Sequence, residues 1–266
     1  MHYYRAKLQY DGTGYYGFQW QKDLPTIQGD FNQALSHLIA FPFSTMGASR
    51  TDSGVHAFVQ YVKITTENEI PYGEVLGSLS QVLPAQIKCL ELFPCEKSFR
   101  PTKDSEFKEY RYFFTNLIGV NCSERRFIAN NPYLINFEAM KICVDAIVGT
   151  HDFHNFYSQG SNVTTTIREV SVCELMEINP QPLFSSSDLF RLPHDLTSCY
   201  QLRVGGNGFL KQMIRHLMTA LWKVGNGRLT VEQFLCLLDG PKRTERLWKV
   251  AHPKGLFLYR IDYART

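Results

Sequence analysis

One short loop carries the residues whose types and spacing could do chemistry. Residues 47–57 read Gly-Ala-Ser-Arg-Thr-Asp-Ser-Gly-Val-His-Ala, which places Arg50 and Asp52 among small, turn-forming residues. Gly54 and its small neighbours allow a bulky partner to approach the backbone closely, and an ionised aspartate can act as a nucleophile. The spacing alone favours a simpler interpretation, in which Asp52 bonds its own backbone in an Asx-turn and Arg50 is solvated.

Two further segments combine aromatic and cationic side chains. The stretch Phe107-Lys-Glu-Tyr-Arg-Tyr is predicted to be a strand with Tyr110 on one face and Arg111 on the other. Tyrosines on a strand can stack on bases, although packing is the commoner role. In a predicted helix that contains residues 209–216, Arg215 lies at the border of the apolar rows. An arginine there reaches solvent by default, but it pairs with a carboxylate if the helix faces a cleft.

Several familiar catalytic patterns are missing from the sequence. There is no GxxxxGK[ST] or GxSxG, and Gly206-Asn-Gly208 lacks the third glycine of a dinucleotide fingerprint. His151 and His154 are possible metal ligands, but no partner cluster stands out, and a loop with a capping aspartate is favoured. A metal hydrolase built on them would be inactivated by a chelator.

Composition predicts a soluble, intracellular globular protein. The 266 residues are 44% hydrophobic and 20% charged, which permits a packed core and excludes disorder. No apolar run is long enough to span a bilayer, and the first residues lack a signal-peptide core. Seven cysteines without a CxxC pair indicate reduced thiols, not a zinc ribbon or disulfide framework. Lys and Arg minus Asp and Glu give a net charge of 9 − 10 = −1 over residues 1–105 and 19 − 15 = +4 over residues 106–266. The positive second half favours an anionic substrate.

The order of predicted elements indicates an α/β (α+β) fold with two subdomains, residues 1–104 and 105–266, joined by a linker at 98–105. Thr26, Asn207 and Thr230 are predicted helix caps, and Pro71 is predicted at the first helical position. The Pro- and Ser-containing stretch 180–197 is predicted to be a surface excursion. The remaining predictions are strands at 3–10, 58–64, 87–93, 107–116, 167–178, 199–204 and 255–263, and a helix at 137–148 closed by Gly149.

Taken together, the motifs resemble those of the bacterial tRNA pseudouridine synthase A family. The resemblance covers almost the whole chain in order, and the joint order is far more specific than any single motif. It is carried by residues 10–21 (YDGTGYYGFQWQ), 26–29 (TIQG), 50–57 (RTDSGVHA), 108–112 (KEYRY), 149–153 (GTHDF), 166–168 (TIR), 208–215 (GFLKQMIR) and 255–258 (GLFL).

The resemblance implies a cytoplasmic isomerase that converts uridine to pseudouridine at positions 38 to 40 of the tRNA anticodon stem-loop, without metal or cofactor. It implies the pseudouridine synthase fold, with antiparallel-rich mixed sheets flanked by helices around a central cleft, and a homodimer. By resemblance Asp52 is the catalytic carboxylate and Arg50 holds the site open after the base leaves the stack. Tyr110 packs against the flipped uracil and Arg215 pairs with Asp52.

Some points stay open at this level. Asp52 could attack the base, attack the sugar or abstract a proton from the sugar. Arg168 matches a recurrent family arginine whose role is packing or phosphate contact. Ser49 replaces the usual glycine, and His252 precedes the terminal Gly-Leu motif where proline is more usual. The basic residues Lys97, Arg100, Lys103, Lys108 and Arg111 form either a phosphate track or a solvated surface. A non-catalytic RNA-binding protein on the same scaffold is the alternative function.

Overall fold

The chain folds into two compact units in a computed structural model that describes residues 1–116, 126–131, 133–160, 163–241 and 248–264. The first unit comprises Met1–Glu106 together with Phe257–Thr266, and the second comprises Phe107–Leu256. The prediction of a mixed α/β fold is confirmed, because helices and largely antiparallel strands alternate in both units.

The first unit is a sheet with two helices. Its elements are β1 (His2–Tyr10), α1 (Ile27–Leu38), β2 (Phe43–Gly47), β3 (His56–Thr66), α2 (Tyr72–Val82), β4 (Ile87–Pro94) and β10 (Leu256–Tyr263). The strand β1 lies between β4 and β3 and is antiparallel to both. The other edge of β3 is shared, since β2 pairs antiparallel with its second half and β10 pairs parallel with its start.

Alternation along the strands explains the core of the first unit. In β1 the side chains of Tyr4, Ala6 and Leu8 are buried, and their register partners on β3 include Ile64 and Val62. The helix α1 buries a stripe at helical spacing, and the Thr26 hydroxyl accepts a hydrogen bond from Gly29 N at 3.2 Å, as an N-cap should. These elements fix the ends of β1 and β3, where the candidate site lies.

The second unit is an antiparallel sheet in the order β5-β9-β8-β7, with β6 added parallel to β5. The helix α3 contacts α5, α6 and β8. Its elements are β5 (Ser105–Thr115), β6 (Ala129–Asn130), α3 (Phe137–Ile147), β7 (Gly149–Asp152), β8 (Ile167–Ile178), α4 (Gln181–Phe184), β9 (Cys199–Gly206), α5 (Met213–Gly225) and α6 (Val231–Asp239).

Two predictions about the second unit are wrong. Asn207 does not cap α5, because the helix begins at Met213, after Gln212 has taken a left-handed backbone conformation with φ of 60°. The stretch 180–197 is not a simple surface excursion, since it buries Phe184 and Phe190. The ring of Phe184 lies 5.1 Å from that of Phe113, so aromatic packing holds the segment against β5.

Smaller differences concern element ends and one short strand. Pro71 is the residue before α2, not its first helical residue. The strand β2 was not predicted, because Phe43–Gly47 alternates weakly and contains serine and glycine. Within the described residues, no helix is long and apolar enough to cross a bilayer. Six cysteines there are free thiols, and Cys122 lies outside the described residues.

Candidate active site

The Asp52 loop, defined as residues 48–55, connects β2 to β3. Ala48 N donates a hydrogen bond to Tyr61 O at 2.8 Å, which closes the loop at its base. Ser49 is held on both sides by the buried side chain of Gln60: Ser49 N donates to Oε1 at 3.1 Å, and Nε2 donates to Ser49 O at 2.6 Å. Because only backbone atoms of Ser49 make these two bonds, they do not depend on the serine side chain.

A second segment, residues 11–18 after β1, braces the far side of the Asp52 loop. Phe18 N donates to Thr51 O at 3.1 Å, and Tyr15 O accepts from both Ser53 Oγ at 3.0 Å and Gly54 N at 3.1 Å. These bonds fall immediately before and after Asp52. Hydrogen bonds to residues 11–18 therefore hold the backbone on both sides of the candidate carboxylate.

Two glycines make this close packing possible. A Cβ at Gly12 would lie 2.1 Å from Val55 O, and one at Gly17 would lie 2.8 Å from Thr51 O. Gly17 also has φ of +99°, a conformation that L side chains rarely adopt. Backbone approach to the Asp52 loop thus explains two of the three glycines of the 10–21 motif.

A buried pair, Asp11 and His56, lies at the foot of the same loop. Asp11 Oδ1 is 3.0 Å from His56 Nδ1, Gly12 N is 3.1 Å from that nitrogen, and the imidazole stacks on Phe257 at 4.7 Å between centroids. Burial raises the pKa of the Asp11 carboxyl, but the hydrogen bond and charge of His56 and the N–H of Thr13 outweigh it, so the net pKa is lowered.

The two candidate side chains of the loop differ in exposure. Asp52 is half-buried and its carbonyl accepts from Val55 N at 3.1 Å, which closes a tight turn with Gly54 at φ of +75°. Arg50 is exposed. The arrangement therefore offers a carboxylate on a hydrogen-bonded turn with an exposed cation two residues away. It is suited to a nucleophile or proton acceptor that works on a charged substrate.

Tyr110 and Arg215 belong to the second unit, whereas Arg50 and Asp52 belong to the first. Tyr110 lies on β5, is buried, and meets Phe209 edge to face at 5.3 Å between centroids. Phe209 precedes α5, so the aromatic pair joins the strand to the start of the helix. The opposite face of β5 carries Glu109 and Arg111, as the strand alternation predicts.

Arg215 is buried on the first turn of α5 and does not reach solvent as an arginine at the edge of an apolar face does by default. Its Nε donates to Ala251 O at 2.7 Å. In the same segment His252 O accepts from the Tyr112 hydroxyl at 2.7 Å, and His252 Nδ1 accepts from Lys254 N at 3.2 Å. His252 therefore caps the turn before the Gly-Leu motif.

The start of α5 is held by side chains that the sequence did not single out. The Ser158 hydroxyl donates to Gln212 Oε1 at 2.5 Å, and Ser158 Oγ also lies 3.0 Å from His216 Nε2. This bond secures the left-handed Gln212 three residues before Arg215. No sequence signal marks Ser158, because a lone serine in a loop has many commoner roles.

The five basic residues considered as a phosphate track fall into different environments. Lys97, Arg100 and Lys103 are exposed, whereas burial lowers the pKa of Lys108 to about 8. Arg111 Nε donates to Glu109 at 2.7 Å, and Arg203 binds the other oxygen of that carboxylate at 3.0 Å. Arg111 therefore belongs to a structural ion-pair network on the sheet.

Arg168 and the two histidines of the 149–154 region serve local contacts. Arg168 is half-buried, donates to Thr165 O at 2.9 Å and to Ile167 O at 2.6 Å, and burial lowers its pKa. His151 pairs with Asp239 at 2.8 Å, and His154 with Asp152 at 3.2 Å. Within the part of the chain that the structure describes, no group of three or more His, Cys, Asp or Glu side chains is placed to hold a metal ion.

Comparison with known proteins identifies the family. A family model described as tRNA pseudouridine synthase matches residues 144–264. The chain is 33% identical to tRNA pseudouridine synthase A 2 of Desulfotalea psychrophila, covering 98% of this chain and 99% of the relative. It is 32% identical to tRNA pseudouridine synthase A of Lactococcus lactis, covering 99% and 98%. It is 31% identical to the protein of that name from Thermoanaerobacter, covering 96% and 97%. Since these relatives align from end to end, the chain belongs to the tRNA pseudouridine synthase A family.

Proposed function

We propose that this protein is a tRNA pseudouridine synthase that converts uridine to pseudouridine at positions 38 to 40 of the anticodon stem-loop, with Asp52 as the catalytic carboxylate. One observation supports this assignment best. The hydrogen bonds made by Tyr15, Phe18 and Gln60 brace the loop before and after Asp52, so the carboxylate is presented on a preorganised turn. Family membership supplies the reaction class, an isomerisation of uridine in tRNA.

The reaction needs a carboxylate, a place for the extruded base and control of protons. The bond from the sugar to uracil N1 breaks, the uracil turns, and a bond forms from the same sugar carbon to uracil C5. The proton on C5 leaves and N1 gains one, so the product is an isomer and no redox partner is needed. Asp52 serves as nucleophile or proton acceptor at the sugar or the base.

We assign the supporting roles to three side chains. A uridine inside a stem must leave the stack before any side chain reaches it, at a cost of a few kcal/mol. Exposed Arg50 fills the vacated space and offsets part of that cost. Tyr110 packs its ring against the extruded uracil, and its hydroxyl takes part in proton handling. Arg215 pairs with Asp52, which keeps the carboxylate ionised and oriented.

Two features of the working enzyme complete the proposal. The protein acts as a homodimer in which one copy grips the body of the tRNA while the other presents its site, and the reaction takes place in the cytoplasm, where tRNA is modified. Sedimentation of the protein alone and with tRNA tests the dimer, since a monomer fully active at nanomolar concentration would contradict it.

The decisive experiment uses unmodified tRNA with uridine at all three positions, incubated with wild type, Asp52→Asn and Asp52→Ala. Carbodiimide labelling and primer extension map the pseudouridine. We expect stops at those uridines with wild type only, while all three proteins bind tRNA with similar affinity, because phosphate contacts dominate affinity. Asp23→Asn, an exposed carboxylate of the same unit, is the matched control. Activity retained in Asp52→Ala overturns the role of Asp52. Tight binding without modification by wild type favours a non-catalytic RNA-binding protein.

A further inference from the structure

Two large aromatic side chains stand in solvent on the connection between β1 and α1. Tyr16 is 53% exposed and Trp20 is 57% exposed, which makes Trp20 the most exposed of the three tryptophans. Neither side chain belongs to the core, and neither has a role in the reaction as described above. A tryptophan in this position loses hydrophobic stabilisation that burial would give it.

The backbone that carries these rings is rigid. Tyr16 N donates to Pro25 O at 2.9 Å, and Gln21 Nε2 donates to Tyr16 O at 2.9 Å. Trp20 N donates to Gln28 Oε1 at 2.9 Å, which ties it to the first turn of α1. These hydrogen bonds hold the backbone of both residues, so binding of a ligand costs little backbone conformational entropy.

The same connection touches the Asp52 loop directly. Tyr15, the residue before Tyr16, accepts hydrogen bonds from Ser53 and Gly54. Gly17, the residue after it, approaches so closely that a Cβ there would lie 3.4 Å from the carbonyl carbon of Asp52. Tyr16 is thus an exposed aromatic residue whose two chain neighbours contact the residues around the catalytic carboxylate.

We propose that Tyr16 and Trp20 form a base-stacking surface that binds nucleotides flanking the target uridine. The inference rests on the proposed function, since it takes RNA as the ligand. Aromatic rings stack on any base through its π-face, and a nucleotide next to an extruded base is itself exposed for stacking. Two exposed cations, Lys22 two residues after Trp20 and Arg50 on the Asp52 loop, provide charge that complements the phosphates of such a strand.

The test measures binding and turnover of an anticodon-arm RNA for Tyr16→Ala, Trp20→Ala and Trp20→Phe. Loss of a stacked ring raises Kd and KM by about 5- to 150-fold per ring, with a smaller change in kcat. Trp20→Phe keeps most of the affinity because it keeps a π-face. Tyr72→Ala is the matched control, since Tyr72 is 39% exposed on α2 of the same unit.

Fluorescence gives a readout that does not depend on catalysis. The exposed indole of Trp20 is quenched when RNA stacks on it, so titration with RNA quenches wild type and Asp52→Asn. In Trp20→Phe the quenching is lost although the RNA still binds. An exposed ring contributes little to folding, and the variants are expected to melt at the wild-type temperature.

Three results would overturn the proposal. If wild type forms pseudouridine and the alanine variants match Tyr72→Ala in Kd and KM, the stacking surface is wrong while the proposed function stands. If Trp20→Ala changes the oligomeric state at unchanged RNA affinity, the surface is an interface between copies of the chain. If wild type forms no pseudouridine in any tRNA, the proposed function fails and the inference fails with it.

Discussion

Gln60 and Ser49 are joined by two hydrogen bonds in opposite directions, made by a side chain with no exposed surface. The amide of Gln60 acts toward the loop as a neighbouring strand would, offering one acceptor and one donor to one residue's backbone. Because the glutamine is enclosed, water cannot replace either bond. The position of the Asp52 loop therefore depends on a polar side chain inside the core of the first unit.

Replacement of Gln60 by leucine tests this dependence. Leucine fills a similar volume but leaves Ser49 N and O without their partner, which costs about 1–3 kcal/mol for each buried group. We expect Gln60→Leu to lower the free energy of unfolding by about 2 kcal/mol or more in urea titrations and to lower kcat more than it raises KM. Gln33→Leu, on the exposed side of α1, is the control. Equal stability and activity of the two variants would show that the amide does not hold the loop.

Alanine substitutions at Gly17 and Gly14 distinguish the cost of a positive φ from the cost of a Cβ that presses on neighbouring backbone. Both have positive φ, +99° and +83°, but a Cβ at Gly14 meets nothing within 4 Å. Gly14→Ala is expected to cost about 1–2 kcal/mol in unfolding free energy from the backbone alone and to stay active. Gly17→Ala should cost more and lower kcat, because its Cβ presses on Thr51 O next to Asp52. Melting curves and kinetics of both variants measure the difference. Equal effects of the two substitutions would show that contact of the Gly17 Cβ with the Asp52 loop has no additional cost.

We expect the buried pair of Asp11 and His56 to make the free energy of unfolding depend on pH in the acid range. The pKa of Asp11 is lowered in the folded protein from 3.8, since His56 and the N–H of Thr13 together outweigh the effect of burial. A carboxyl of this kind stabilises the fold above its unfolded pKa, and that contribution is lost as the pH falls through the folded pKa. We expect stability of wild type to fall below about pH 4 more steeply than that of Asp11→Asn. Denaturation at a series of pH values measures this, with exposed Asp23→Asn expected to follow wild type.

We expect that a positive charge alone cannot replace the guanidinium of Arg215 at the start of α5. Lysine in its place keeps the positive charge but has no Nε to donate to Ala251 O, and it lacks the planar fork of the guanidinium. Loss of a hydrogen bond from a charged group costs about 1.5–3 kcal/mol, so kcat/KM should fall by roughly 10- to 150-fold. Arg228→Lys, at an exposed position after the same helix, is expected to stay fully active. Wild-type kinetics in Arg215→Lys would exclude a geometric role for the guanidinium.

Most elements could be predicted from local pattern. Thr26 and Thr230 cap their helices because a hydroxyl accepts the free N–H of the first turn, a rule that needs only neighbouring residues. Asn207 satisfied the same rule and was wrong. The apolar rows of α5 extend back through Leu210, but Gln212 is held in a left-handed conformation by Ser158, which is 54 residues away in sequence. A contact over that distance has no local signal.

The candidate site likewise contains features that local sequence predicts and features that depend on distant contacts. The small residues around Asp52 predicted a tight turn, and Val55 N closes one on Asp52 O. The bracing by Gln60 could not be predicted, since a glutamine in a strand is usually turned to solvent. Phe184 and Phe190 were likewise hidden among prolines and serines whose composition is typical of surface loops. In each case a single buried side chain overrode the average behaviour of its surroundings.

The membership of β10 in the first unit has a consequence for synthesis of the chain. Phe257 stacks on His56 at the foot of the Asp52 loop, and β10 pairs with the start of β3. The ribosome must therefore add the 150 residues of the second unit, Phe107–Leu256, after the first unit's amino-terminal part has emerged. At about 5–20 residues per second this takes roughly 8–30 s. Throughout that interval the nascent Asp52 loop lacks its neighbouring strand, so the sheet beside the loop can be completed only after β10 has been synthesised and released from the ribosome.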